Sequence, residues 1–296
     1  MKHLNRIAAL WHICTIKEFF FIFYNFLITK KLAQKNIQLQ RILIFAISCS
    51  DKGYALSAYD KDLIRVEGVG KDKKNTILVR KYTRDLLVFE GFFIYDDYLK
   101  FIDLIKEKGE VNFVIDAGAN IGCASIYLYS HFPKAKMVCI EPETSNFQVL
   151  SQNIAINKFE QNTHCIKKAL WNVETELALR RIDFSHDGFH VMQEGTTHEV
   201  IDKIPTCTIA DLLKQSNQKY VDILKIDIEG AEKTLFEDID HLNSFLPQTK
   251  VLIMEVHPEY ILDEAILKIL TEFNFDAQIA KIEGQPSAIV AFNKKI

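Results

Sequence analysis

The 296-residue chain has no Cys-x-x-Cys pair, no Gly-x-Gly-x-x-Gly fingerprint, no internal repeat and no low-complexity tract. Its six cysteines, at 14, 49, 123, 139, 165 and 207, are irregularly spaced. That excludes a zinc site built on cysteine pairs and a disulfide framework, and the thiols read as reduced. Cys139, inside an apolar run, reads as a small core residue. With 48% hydrophobic and 25% charged residues, disorder and collagen-like structure are excluded too. The longest apolar candidate, residues 7–28, is interrupted at its midpoint by Lys17 and Glu18. A Lys at the centre of a span costs about 2.5–3.5 kcal/mol, and each Leu or Phe returns only about 0.3–0.6. The half from 19 to 28 is too short to span and lacks a signal-peptide cleavage pattern.

A net charge of −3 conceals an uneven distribution. Residues 1–50 hold seven Lys and Arg against one acid, Glu18, so this head carries +6 and the rest carries −9. An acidic body lacks the basic surface of a nucleic-acid binder, so no nucleic-acid partner is expected. The basic, Phe-rich head reads either as a helix packed on the body or on a second subunit, or as an interfacial helix on a membrane. Peripheral membrane contact or self-association is therefore assigned to residues 1–35. The expected location is cytoplasmic, with a place on the inner membrane face for the interfacial case.

Residues 1–75 are expected to form an N-terminal helical accessory region, with loops or short hairpins at 48–74, and residues 76–296 the main domain. From 111 onward, short apolar runs alternate with amphipathic segments. Strands are expected at 111–117, 137–140, 164–166, 221–228 and 251–256, and helices at 121–132, 143–157, 231–239 and 259–273. This rhythm means a mostly parallel sheet with helices on both faces. Gly284-Gln-Pro286 marks a turn between two terminal strands, which would add an antiparallel edge hairpin. Residues 177–184 alternate like an edge strand. Residues 185–205 read as a long polar loop of the kind that covers a substrate.

The first strand runs into Asp116-Ala-Gly118-Ala119-Asn120-Ile-Gly122. A strand, a small-residue turn and a helix N-terminus form a ligand cradle at the carboxyl edge of such a sheet. Asn120 stands where a dinucleotide turn has its second Gly. Asn tolerates the left-handed backbone but hinders approach of a diphosphate. The second strand ends at Glu141-Pro142, and an acid at that tip suits ribose hydroxyls. Asp227 and Glu229 follow the fourth strand and would point to the same side of an extended chain, and Glu255 and His257 likewise share one side at the end of the fifth. Acids placed there are costly unless used. Lys225 is read as their neutralising charge, and Glu232 as a helix-start acid. Four such side chains could ligate a divalent cation, but no spacing demands one and no metal is assigned. His186 and His190 are spoiled as a zinc pair by Gly188 and their loop setting.

The ordered set 116–122, Glu141-Pro142 and Leu224-Lys-Ile-Asp-Ile-Glu-Gly-Ala-Glu232, followed by Glu255-Val-His257, resembles the FkbM-type family of S-adenosylmethionine-dependent methyltransferases. The likeness covers roughly 76–292, and Arg80, Asp85 and Tyr98 resemble the family's lead-in more loosely. It implies a class I methyltransferase, Rossmann-like sheet with S-adenosylmethionine as cofactor. Asp116, Gly118, Ala119, Asn120 and Gly122 would cradle it, Glu141 would hold the ribose, and Ala169 would lie near the adenine. A poorly nucleophilic hydroxyl acceptor calls for a base. His257 is the first candidate and Asp227 the second, with Glu229 beside them. The expected activity is O-methylation of a sugar, glycan precursor or similar small acceptor. The alternatives are a nucleotide-sugar oxidoreductase and a non-catalytic module recruited to a membrane.

Overall fold

The structure is a computed structural model that describes residues 2–20, 22, 37–181, 189–192, 200–257, 259–280 and 287–296. In chain order the elements are α1 (Lys2–Ile13), α2 (Ile37–Lys52), β1 (Ala55–Ala58), β2 (Leu63–Val69), β3 (Asn75–Arg80), α3 (Asp85–Glu90), a π-turn (Gly91–Tyr95) and α4 (Leu99–Lys108). Next come β4 (Phe113–Ala117), α5 (Cys123–His131), β5 (Lys136–Ile140), α6 (Thr144–Ile156), β6 (Thr163–Ile166), β7 (Ala169–Leu170), β8 (Glu176–Arg181), β9 (Phe189–Met192) and β10 (Val200–Cys207). The chain continues with α7 (Ile209–Gln215), β11 (Val221–Ile226), α8 (Glu232–Glu237), α9 (Ile239–Phe245), β12 (Thr249–Val256), α10 (Asp263–Glu272), β13 (Phe275–Ala280) and β14 (Ser287–Asn293).

The central sheet has seven strands in the order β13-β14-β12-β11-β4-β5-β6. Strands β12, β11, β4, β5 and β6 pair in parallel, and β14 is antiparallel to both β12 and β13. Every residue of β4 and β11 is buried. That is the condition of a parallel strand covered on both faces, and it is why these strands read as continuous apolar runs. Sequence order reverses between β4 and β11, which opens a crevice at their carboxyl ends. The parallel sheet, the helices on both faces and the antiparallel terminal hairpin are those expected from the sequence.

One face of the sheet is covered by a core that runs from Ala9, Leu10 and Ile13 of α1 through Phe45, Val66 and Phe89 to Val114 and Val290. The other face is covered by α7 to α10. The accessory layer is therefore continuous with the core of the main domain. Part of the reason lies on α6. Its Asn153 and Asn157 present carboxamides to the edge strand β3. Asn153 Oδ1 accepts from the Leu78 amide and its Nδ2 donates to the Leu78 carbonyl (2.7 and 3.1 Å). Asn157 does the same for Thr76 (2.8 and 2.7 Å). A helix side-chain pair thus satisfies an edge that would otherwise expose unpaired backbone groups. A partly buried ion pair, Arg41 with Glu90, ties α2 to α3.

Three expectations need correction. Residues 185–205 are not one long loop, because β9 and most of β10 fall within them. They belong to a second sheet, β7-β10-β8-β9. Strand β8 is not an edge strand, since it pairs with both β10 and β9. The single helix expected at 231–239 is two helices, which meet at Asp238, the side-chain cap of α9. Parts of the expected substrate loop, at 182–188 and 193–199, lie outside the described residues. So does most of the second half of the apolar head, and among the described residues no helix is long and apolar enough to cross a membrane.

Phe45 is fully buried and packs edge-on to Phe89 at 5.3 Å. Phe45→Ala should cost about 3–5 kcal/mol in urea unfolding. Because the core is shared, fluorescence and circular dichroism should report one transition. A separate early transition for the N-terminal layer would contradict the shared core.

Candidate functional site

The turn after β4 is set by backbone requirements that few residues meet. Gly118 sits at φ +78°, and a Cβ there would lie 1.6 Å from the Asp227 carbonyl oxygen. Only glycine permits this approach. Asn120 adopts φ +50°, the left-handed conformation allowed to Asn. The amides of Gly118 and Ala119 donate to the Ile140 carbonyl (3.0 and 2.9 Å). These bonds fix the turn against the end of β5, where Glu141 begins.

Beneath the turn lies a buried ammonium. Lys225 Nζ donates to the Gly118 carbonyl (2.9 Å) and contacts Asp227 Oδ2 (3.2 Å) and Asp116 Oδ1 (3.4 Å). Burial works against its charge, but Asp227 and Asp116 outweigh that and raise its pKa. Its main partners are therefore Asp116 and Asp227, and not the Asp227–Glu229 pair expected from the sequence. Asp116 is fully enclosed, and its other oxygen accepts from Ser125 Oγ (2.5 Å).

Above the turn is an open cleft. Gly118, Asn120, Glu141, Ala169, Asp227 and Glu229 line it. Of the residues singled out in the sequence, Asp116, Ala119, Gly122 and His257 do not. Asn146 and Ala231 line it as well, and sequence reasoning missed them. Asn146 gave no signal of its own, because Thr144 and Ser145 beside it in the first turn of the helix are polar as well.

Glu141 is buried at one wall. Its Oε2 accepts from the Asn120 amide (2.8 Å). Its Oε1 accepts from the Glu143 amide (3.0 Å) and from Asn146 Nδ2 (3.3 Å). Burial nonetheless pushes its pKa up to about 7. A carboxylate has about four acceptor positions, so three donors leave room for a ligand hydroxyl. Asn120 Oδ1 is buried and has no hydrogen-bond partner among the described residues. An unsatisfied acceptor beside a cleft fits a ligand that brings donors, as the ribose and amino groups of S-adenosylmethionine do.

The opposite wall is acidic. Asp227 continues the ladder past β11 by donating its amide to Ala117 (3.0 Å). The chain then turns, with Glu229 at φ +53°, so 227 and 229 are not side by side on an extended strand as expected. Glu232 is fully buried and accepts from the amides of Ile228 (2.9 Å) and Gly230 (2.7 Å). His257 lies between Glu232 and Glu229, at 3.3 and 3.4 Å. Burial opposes its charge, but Glu232, Asp227 and Glu229 prevail and raise its pKa to about 9. It is therefore an imidazolium at neutral pH. Burial, followed by Asp227, raises Glu255 to about 8. Asp227, Glu229 and His257 each place a ligand atom within 4.8 Å of the others, close enough for a divalent cation to bridge.

Lys225→Met removes the charge and leaves Asp116 buried without a counter-ion. Urea unfolding should show a loss of about 3–5 kcal/mol. A loss below about 1 kcal/mol would show that the Asp116 charge does not depend on Lys225.

Residues 116–277 match the methyltransferase FkbM domain. Methyltransferase 1 of Beauveria bassiana is 27% identical over 153 residues, which cover 44% of this chain and 59% of that protein. Methyltransferase sdnD of Sordaria araneosa is 24% identical over 156 residues, covering 43% and 60%. The matched segment thus takes in less than two thirds of either relative. Among solved structures, the N-terminal domain of human METTL16 aligns with a TM-score of 0.49 at 13% identity, covering 89% of this chain and 84% of that one. The match begins at Asp116 and takes in Glu141, Asp227, Glu229 and His257, and the sheet around them has the strand order read above. The chain belongs to the FkbM family of methyltransferases, with a class I, Rossmann-like sheet and S-adenosylmethionine as methyl donor.

Proposed function

We propose that the chain methylates a hydroxyl of a sugar, a glycan precursor or a similar small acceptor. The observation that supports this most is the arrangement of one cleft, with the hydrogen-bonding acid Glu141 on one wall and Asp227 and Glu229 on the other. Bound S-adenosylmethionine supplies an electrophilic methyl carbon on a sulfonium. Glu141 would accept from the ribose hydroxyls, and the small residues of the 118–122 turn would let the amino-acid end approach the backbone. Ala169 packs beside the adenine. Asp116 acts at a distance, by holding Lys225 under the turn. An oxidoreductase reading loses its support with the family assignment.

A hydroxyl gains about 10²–10⁴-fold from a positioned proton acceptor. His257 already carries a proton at neutral pH, so it is a poor first choice in this arrangement. We assign the proton to Asp227. Lys225 holds its Oδ2, which leaves Oδ1 for the acceptor hydroxyl. The His257 imidazolium keeps Glu229 and Glu232 in place by charge. For the N-terminal head, Ile7, Trp11, Ile16 and Phe20 are exposed, which supports contact of this basic segment with an anionic membrane surface.

A labelled-donor screen of free glycans, lipid-linked sugars and peptides should find transfer to a hydroxyl-bearing acceptor. Run with and without anionic vesicles, it should show vesicle-dependent stimulation for lipid-linked acceptors. Transfer only to nitrogen would sink the acceptor assignment, and no vesicle effect the membrane contact.

The pH profile of kcat/KM separates the two base assignments. His257 is protonated below about 9, so with Asp227 as base the rate should fall as pH rises through 9, and His257→Gln should lack that limb. A rate that rises through 9 would make the imidazole the base. The same assay after EDTA treatment should be unchanged. Loss of activity restored by Mg²⁺ or Mn²⁺ would reassign Asp227, Glu229 and His257 as ligands.

A further inference from the structure

Arg80 is the last residue of β3 and lies outside the matched domain. It is buried, and every donor it points inward is used. Its backbone amide and Nε donate to Asp85 Oδ2 (2.9 and 2.8 Å), and Nη2 donates to Asp85 Oδ1 (2.8 Å). Nη1 donates to Ser145 Oγ (3.0 Å), and Nη2 also donates to Asn146 Oδ1 (2.7 Å). The carboxamide of Asn146 is therefore clamped between a group that only donates and a group that only accepts. Arg80 takes its oxygen, so its nitrogen must face Glu141. With the amide turned over, an oxygen would face the carboxylate and repel it. The chain of bonds continues from Glu141 to the Asn120 amide in the cofactor turn.

We propose that Arg80 is a positioning residue for cofactor binding, acting through Asn146 to hold the Glu141 carboxylate toward the ribose. The proposal rests on the reading of Glu141 as the ribose acceptor. It also gives the β1–β3 sheet a task at the site. The polar face of α6 that carries Asn153 and Asn157 to β3 carries Asn146 to Arg80, so docking of that sheet and orientation of Glu141 are one event.

Charge acts in the same direction as geometry. Glu143 and Glu141 both favour the charged form of Arg80, and the effect is reciprocal, so Arg80 favours ionised Glu141. The other charges around Glu141 are few. Glu143 is on its own turn, Asp85 is neutralised by Arg80, and Asp227 and Glu229 are across the cleft. Lys167 and Lys168, beyond β6, are engaged by Asp202 and Glu174. Removing Arg80 therefore moves Glu141 further above its present value of about 7, and a protonated acid is the weaker hydrogen-bond acceptor.

The test is isothermal titration of the full chain with S-adenosylmethionine from pH 6 to 9. The unaltered protein should lose affinity as pH falls through about 7. Arg80→Met should move that midpoint upward by about one pH unit, giving roughly threefold weaker binding near pH 7.5 that approaches tenfold near pH 6 and recovers toward pH 9. Arg80→Lys, which keeps the charge and one donor, should fall between. Asn146→Ala leaves the Arg80–Asp85 pair intact and should shift the midpoint in the same direction. If Arg80→Met does not fold, Arg80→Lys and Asn146→Ala carry the comparison. Folded variants that keep the parent midpoint and affinity would overturn the proposal. Glu141→Gln separates the two readings, because unchanged affinity and pH dependence in that variant would overturn the ribose assignment itself.

Discussion

A single buried ammonium organises the centre of this molecule. Lys225 is the penultimate residue of a strand whose every residue is buried, and its register partner on β4 is Asp116. Burying an isolated charge there would be prohibitive, so the lysine is tolerable only because Asp116, Asp227 and the Gly118 carbonyl close around it. Those contacts join the ends of the two strands between which the order of the sheet reverses. The turn that crosses this gap must approach Asp227 so closely that only glycine fits at 118. The location of the cleft, the shape of its floor and the placement of its acidic wall all follow from that arrangement.

The cleft is electrostatically divided. On the Glu141 side, three hydrogen bonds hold an acid that burial makes reluctant to ionise. On the Asp227 side, Glu229, Glu232 and Glu255 crowd together with His257 as the neighbouring cation besides Lys225. A cationic sulfonium with donor-rich ribose and amino groups complements both sides. The same crowding that suits this ligand keeps His257 protonated. On the assignment of the proton to Asp227 proposed above, the residue most suggestive of a base in the sequence serves as a counter-ion.

The N-terminal layer is less separate than its composition suggests. Its basic, apolar residues differ from the rest of the chain, which is why residues 1–75 read as an accessory region. Yet α1, α2 and the β1–β3 sheet share one core with the helices of the main domain. The seam between them is polar as well as apolar. Asn146, Asn153 and Asn157 lie along one face of α6 and meet Arg80, Leu78 and Thr76 of β3. These asparagines look unremarkable in sequence because a surface helix commonly carries such residues.

By itself the sequence determined the alternation of strands and helices, the antiparallel hairpin at the end, the small-residue turn at 116–122 and the acid at 141. Each is a local property. A buried parallel strand must be apolar along its length, a turn with positive φ must use Gly or Asn, and an acid closing an apolar run stands out against it. Only the tertiary structure decided which groups face one another. Residues 185–205 look like a loop until β9 and β10 find partners in a second sheet. Asp227 and Glu229 reach one wall of the cleft through a turn at Glu229 and not along an extended strand. Lys225 pairs with Asp116, more than a hundred positions away, and Arg80 reaches Glu141 through Asn146. Charge and hydrogen bonding depend on distance in space, and no local pattern records which distant donor will meet which acceptor.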